Sequence, residues 1–211
     1  ADLLNNLGIV MQDLGRLDEA IDCYDAALTE RPGFELARWH RSLALLLRHD
    51  FAGGWQDYDL RLLSEDRPAM PVLYPAWDGG ALAARGIMVC NEQGVGDEIM
   101  FASCLNGVIE QAARCIIDCS PKLETLFSRS FPSADVCGVE QAGGDASRVK
   151  AHGQIDFQIA AGSLPGLFRN SAQDFPVHKG YLHADRAQVD DWRRRLDRKS
   201  TRLNSSHVAL S

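Results

Sequence analysis

Ile87-Met88-Val89-Cys90-Asn91-Glu92-Gln93-Gly94-Val95-Gly96-Asp97-Glu98-Ile99 decides the fold. Ile87 to Cys90 is a short apolar run with a β-branched bias, bounded by Gly86 and by polar residues. That pattern predicts a parallel strand covered on both faces. Gly94 and Gly96 let the backbone turn tightly, with no Cβ in the way. Asp97 is placed to cap a helix whose apolar positions, from Ile99 and Phe101 through Cys104, Leu105, Val108, Ile109 and Ala112, recur at helical spacing. A strand, a glycine turn and a helix in that order put the turn at the carboxyl end of the strand. Open α/β sheets bind ligands there, and the first N–H groups of the helix face anything anionic.

Working outward toward the C-terminus, strands and helices alternate. Cys115 to Cys119 reads as a second strand, followed by a helix with Ser120 as N-cap and Pro121 at its first position. Ala134 to Val139 and Ile155 to Ala160 read as two more strands, with 143–150 as loop or weak helix between them. Gly162-Ser163-Leu164-Pro165 turns into a short helix, and a polar helix runs from Ala184 to Leu196. Alternation of this kind predicts a parallel, Rossmann-like sheet. From Arg198 onward the residues are polar and lack periodicity, and they resemble translated sequencing adapter. The native chain is therefore expected to stop near Arg198, in a gene cut short, with 198–211 as a disordered tail.

Toward the N-terminus the period becomes helical. Leu4, Leu7, Gly8 and Met11, then Ala20, Tyr24, Ala27 and Pro32, match the tetratricopeptide pattern of about 34 residues. Gly8 and Ala20 are small where two antiparallel helices approach. Leu7, Met11, Tyr24 and Leu28 are expected to fill the seam, and Pro32 stops the second helix. Shifted by one repeat, Met11 maps to Leu45, Tyr24 to Tyr58, Gly8 to Ser42 and Ala20 to Gly54, which makes a degenerate second repeat. Repeats cannot bury their faces alone, so two imply either further repeats upstream or packing onto the next domain. The expected organisation is 1–68 repeats, 69–84 linker, 85–197 α/β lobe and 198–211 tail. Pro68, Pro71, Pro75 and Asp78-Gly79-Gly80 mark the linker, and Trp77 is read as a packing anchor.

The 211 residues carry 45% hydrophobic and 24% charged residues, an ordinary globular composition. A net charge of −7 argues against a nucleic-acid partner. No apolar run is long enough to span a membrane. The chain shows no signal peptide and begins without Met, so first residues are expected to be missing. The six cysteines lie mostly in apolar runs. Cys115 and Cys119 are four residues apart along a strand, roughly 13 Å, too far to share one zinc. Buried reduced thiols favour the cytoplasm. No metal or cofactor is expected.

Two chemistries compete for the glycine turn. A dinucleotide fingerprint needs a third glycine where Ile99 stands, so Asp118 as a ribose-binding acid carries little weight. The other reading rests on a resemblance. Glu92-Gln93-Gly94-Val95-Gly96-Asp97 combines with Trp77-Asp78-Gly79, Gly162-Ser163-Leu164-Pro165, Tyr181-Leu182 and Gly53-Gly54-Trp55-Gln56-Asp57-Tyr58. Together they resemble bacterial tetratricopeptide proteins fused to a heptosyltransferase-like glycosyltransferase of the GT-B type. The resemblance covers nearly all of 1–197 and implies two Rossmann-like lobes around a cleft. The first lobe faces the acceptor; the second holds a nucleotide-sugar donor and is missing from this chain. It implies Asp97 as the general base taking a proton from the acceptor hydroxyl, against a plain helix-capping role. Glu92, Gln93, Gly94, Gly96, Ser120 and Ser163 are the candidate substrate-binding residues, with loop-holding and capping as the competing roles. The repeats would hold a protein or peptide partner, or the acceptor itself. The alternative is a non-catalytic scaffold with an inert α/β lobe. His152, His178 and His183 fall in loops or loop edges and carry no assigned role.

Overall fold

The computed structural model describes residues 1–63, 72–139, 154–177 and 180–207, with side chains described through residue 197. Pro68 and Pro71 of the linker, the 143–150 segment, His152 and His178 lie outside the described residues.

Four helices open the chain: α1 (Asp2–Asp13), α2 (Leu17–Glu30), α3 (Glu35–Leu47) and α4 (Phe51–Tyr58), which a 3-10 turn (Asp59–Leu63) follows. They form two hairpins. Gly8 lies against the Tyr24 ring so closely that a Cβ there would sit 2.5 Å from Cε1. Gly54 repeats the device against Leu46, at 2.6 Å. Ala20, Tyr24, Ala27 and Ala44 are fully buried in the helical core. Leu7 does not fill the seam as expected; it is largely exposed. Gly8, one residue on, takes the line of closest approach, and Leu7 is turned about 100° away from it.

The lobe is a four-stranded sheet of β1 (Gly86–Cys90), β2 (Arg114–Cys119), β3 (Asp135–Gly138) and β4 (Phe157–Ala160). All pairs are parallel and the order is β3-β2-β1-β4. In register, Met88 lies opposite Ile116 on one side and Gln158 on the other. The architecture is therefore helical hairpins followed by a parallel α/β lobe.

The helices of the lobe are α5 (Val95–Phe101), α6 (Leu105–Ile109), α7 (Pro121–Ser130), α8 (Leu164–Phe168) and α9 (Arg186–His207). A 3-10 turn at Ala102–Cys104 interrupts what the spacing predicted as one helix from Ile99 to Ala112. On one face of the sheet, Ile87, Val89, Ile117 and Cys119 pack with Leu105, Val108, Leu123 and Phe127. On the other, Met88, Cys90, Ile116 and Cys137 form a smaller cluster. Both faces of β1 and β2 are buried, which is why these strands read as unbroken apolar runs. α9 stays helical across the boundary at 198 that the loss of periodicity suggested.

The linker is not a free tether. Gln158 is 2% exposed, and its side-chain oxygen accepts the N–H groups of Leu73 and Tyr74, both at 2.8 Å. Ala76 bridges Gln158 in parallel, and the Trp77 N–H donates to the Gln158 carbonyl. Residues 73–77 thus run along β4 and satisfy part of its edge. Trp77 is buried and its indole N–H donates to the Gly80 carbonyl, so it anchors as expected.

Candidate site at the strand-order reversal

Strand order reverses between β1 and β4, which places a crevice beyond their carboxyl ends. β1 delivers Asn91, Glu92 and Gln93 there, and β4 delivers Ala161, Gly162 and Ser163. Arg61, from the 3-10 turn after α4, fills the space between them and is 3% exposed.

Every donor of the Arg61 guanidinium is used. Nε donates to Glu92 Oε2 at 2.9 Å and Nη2 donates to Glu92 Oε1, a two-pronged pair. Nη2 also reaches Ser163 Oγ at 3.1 Å. Nη1 donates to Asp59 Oδ1 at 2.6 Å and to the Tyr58 carbonyl at 3.1 Å. The guanidinium lies over the Tyr58 ring, 4.4 Å from its centroid. Burial works to lower the Arg61 pKa, but the Glu92 and Asp59 carboxylates outweigh it, so the group is held above its ordinary value and stays charged. Glu92 is equally occupied: its Oε1 also accepts the Gly162 N–H at 2.8 Å. Gly162 has to be small, because a Cβ there would lie 2.6 Å from Glu92 Oε1 and 2.8 Å from Arg61 Nη2.

Of the expected site residues, the structure brings Glu92 and Ser163 into this network. Ser163 Oγ donates to Asp59 at 2.7 Å while receiving Arg61. Gln93 joins from the side, its Nε2 donating to the Tyr58 hydroxyl at 3.5 Å. Gly94 and Asp97 form a separate pair. Gly94 is the N-cap of α5, and Asp97, at the third helical position, accepts the Gly94 N–H at 3.2 Å. The cap is thus three residues earlier than the sequence suggested. The glycine argument also changes: Gly94 has φ −78° and ψ 166°, extended backbone open to any residue. Gly96 has open space where a Cβ would stand. Ser120 is apart from the crevice, and its N–H donates to the buried Glu98 carboxylate at 2.8 Å.

The sequence reading missed Arg61, Asp59, Gly162 and Glu98. Arg61 and Asp59 sit in the 3-10 turn after α4, where only the helical period was legible. Burial raises the Glu98 pKa, the Ser120 N–H offsets part of this, and the nearby Asp97 adds to the rise. Asp118, the discarded ribose candidate, is buried in β2 in register with Cys137. Cys90, Cys115 and Cys119 are free thiols whose pKa values burial pushes up to about 12, so at neutral pH they carry no thiolate. No cluster of metal-ligating side chains occurs among the described residues.

The second hairpin reaches the lobe through aromatic contacts of α4 as well. The Trp55 indole donates to the Arg169 carbonyl at 2.8 Å, Phe51 packs on Phe175 at 4.8 Å, and Tyr58 faces Phe101 at 6.4 Å. A cleft of about 290 Å³ opens beside this joint, walled by Asp59, Trp77, Asp78 and Ser163.

Residues 1–34 match the tetratricopeptide repeat model. The first hairpin is a tetratricopeptide repeat. That match supports a protein-interaction scaffold. The chain is also similar to Protein FlbA of Caulobacter vibrioides, 26% identical over 209 residues, covering 92% of this chain and 35% of that protein. It therefore spans about a third of the length of that curated relative. No helix among the described residues is long and apolar enough to cross a membrane.

Proposed function

We propose that this chain is the partner-holding, acceptor-side part of a glycosyltransferase-like protein, in which the repeats hold a protein or peptide beside the lobe. One observation carries the reading. The Glu92–Asp97 turn lies at the carboxyl end of the central strand, at the reversal of strand order, and the last hairpin of the repeats forms its wall. In this reading Asp97, in the first turn of α5, takes the proton of an acceptor hydroxyl as it attacks the anomeric carbon of a nucleotide sugar. Glu92, Ser163 and Gly162 hold the crevice in shape, while Gln93 and the Tyr58 hydroxyl face the acceptor. Asp97 keeps its bond to the Gly94 N–H with one oxygen and offers the other to the acceptor.

A second reading, a non-catalytic scaffold, is favoured by the Arg61–Glu92 pair, which already occupies the crevice. The two separate in one experiment on the full-length protein. Transfer from nucleotide sugars is measured for the wild type and for Asp97→Asn, alongside thermal melting. Asparagine can still accept the Gly94 N–H but cannot serve as base. The proposal expects a fall in turnover on the order of 10² to 10⁴ with an unchanged melting temperature. Full activity in the variant removes the catalytic role of Asp97, and no transfer by the wild type leaves the scaffold. The 211-residue chain alone is expected neither to transfer a sugar nor to bind a nucleotide sugar tightly.

A further inference from the structure

The turn that carries Arg61 also carries a surplus charge. Arg61 has one positive charge and faces two carboxylates, Glu92 and Asp59. Glu92 meets the guanidinium with both oxygens and is almost fully buried, so it is the counter-charge. Asp59 is the surplus. Its side chain is 60% exposed, and Oδ1 alone accepts both Arg61 Nη1 and Ser163 Oγ, at 2.6 and 2.7 Å. Asp59 forms one wall of the cleft of about 290 Å³, and Asp78 forms another. A tight turn holds Asp78: its Oδ1 accepts the Gly80 N–H at 2.9 Å, and Gly79 between them has φ 92°. A Cβ at Gly79 would lie 3.0 Å from Leu167 Cδ2, so this turn packs on the cleft's own wall. Among the described residues neither aspartate's Oδ2 accepts a hydrogen bond. Leu62, Trp77, Ile159, Ala160 and Leu167 supply the apolar walls.

We propose that this cleft takes the side chain of a lysine presented by a polypeptide partner. The inference rests on the reading that the repeats hold a protein or peptide beside the lobe. Apolar walls cover an aliphatic stem, and the two carboxylates meet the charge at its end. The volume falls just short of the roughly 300–1,000 Å³ of small-molecule sites, which suits one long side chain better than a nucleotide. Charge makes the next selection: a chain of net charge −7 with two carboxylates in one cleft repels an acidic segment and draws in a basic one. The state of the carboxylates then favours lysine over arginine. A guanidinium pairs best with both oxygens of one carboxylate, but each Oδ1 here is already engaged. An ammonium is a compact charge with three donors, and it can take the remaining oxygen of each aspartate. None of Gln93, Gly94 and Asp97 lines the cleft, so the lysine anchors the partner and is not itself the acceptor.

The test titrates the full 211-residue chain with a capped pentapeptide that carries one central lysine among alanines. The Trp77 indole N–H and the backbone amides of Asp59, Asp78 and Gly80 are followed by NMR. Saturable shifts of these signals are expected. The same peptide with norleucine, which keeps the stem without the charge, should give none, and the arginine peptide should bind more weakly. Asp59→Asn and Asp78→Asn should each weaken lysine binding roughly threefold to fivefold, and the double variant should abolish it. Asp78→Asn keeps an oxygen for the Gly80 N–H, so its loss of binding at an unchanged melting temperature reads the charge, whatever Asp59→Asn does to the Arg61 network. No shift with the lysine peptide, or equal shifts with norleucine, overturns the proposal. Equal or tighter binding of the arginine peptide overturns the choice of lysine. Tighter binding of the free diamine cadaverine assigns the cleft to a small molecule and overturns the polypeptide partner. Sugar transfer and its dependence on Asp97 are read on other residues by another assay, so either inference can fail without the other.

Discussion

Glu98 is a carboxylate that the fold holds at a cost. Its raised pKa means that the folded protein binds this proton more tightly than the unfolded chain does. The stability it contributes is full below the ordinary carboxylate range and is lost as pH rises through the raised value. Glu98→Gln keeps an oxygen for the Ser120 N–H and removes the buried charge. Its melting temperature should exceed wild type at pH 7, and the difference should close near about pH 4. His40 carries the opposite sign. Its Nδ1 lies 2.8 Å from Asn5 Oδ1, and burial lowers its pKa below the ordinary 6.5. The folded form stays neutral where the unfolded chain takes up a proton, so stability falls as pH drops through that window. Melting curves at pH 7.5 and pH 5.5 (about two units apart, spanning that range) should show a larger acid loss for wild type than for His40→Gln. Neither residue was legible as special beforehand, because each gets its character from a partner on a different element.

At the level of elements, the linker is tied to the sheet by backbone bonds to β4 and by the Gln158 side chain. Gln158→Leu removes the acceptor for two backbone N–H groups at Leu73 and Tyr74. The expected loss is at most about 1–3 kcal/mol for each amide left without a partner, less where water reaches it, as at the 37% exposed Leu73. Urea unfolding should show the loss, and the exchange rates of those two amides should rise together. What the sequence made legible was local. The strand at Ile87–Cys90 is a run of apolar residues whose two faces are both covered, and the hairpin at Gly8 and Tyr24 follows a repeat spacing. What escaped it was placement. Proline and glycine around Pro75 and Gly79 correctly marked a break in periodicity, yet whether such a segment hangs free or lies along a sheet edge depends on Gln158, far away in the chain. The glycine turn was found for partly the wrong reason: Gly94 adopts ordinary extended backbone, while Gly162, the glycine that close packing requires, stood in a stretch read only as a turn into a short helix and as support for a resemblance.

Across the whole molecule, the Arg61–Glu92 pair joins the end of the second hairpin to the lobe, with both side chains almost fully buried. Arg61→Met leaves the buried Glu92 without its charge partner and should cost about 3–5 kcal/mol, whereas Glu92→Gln should cost less, because Asp59 still pairs with Arg61. The double substitution Arg61→Met with Glu92→Leu should recover much of that, since an apolar pair no longer carries a buried charge. A double-mutant cycle by urea unfolding measures the coupling; simple additivity would show that the two residues do not act as a unit.

The joint described above comes from α4 and the turn after it, at the far end of the hairpins from α1. The direction in which the array leaves the lobe is then set by a handful of residues at its root. Each layer of helices added at the α1 side would extend the array by roughly 8–10 Å and leave that direction untouched. The starting direction is thereby fixed at the root, while each added layer lengthens the array and turns its free end by the small rotation between neighbouring repeats.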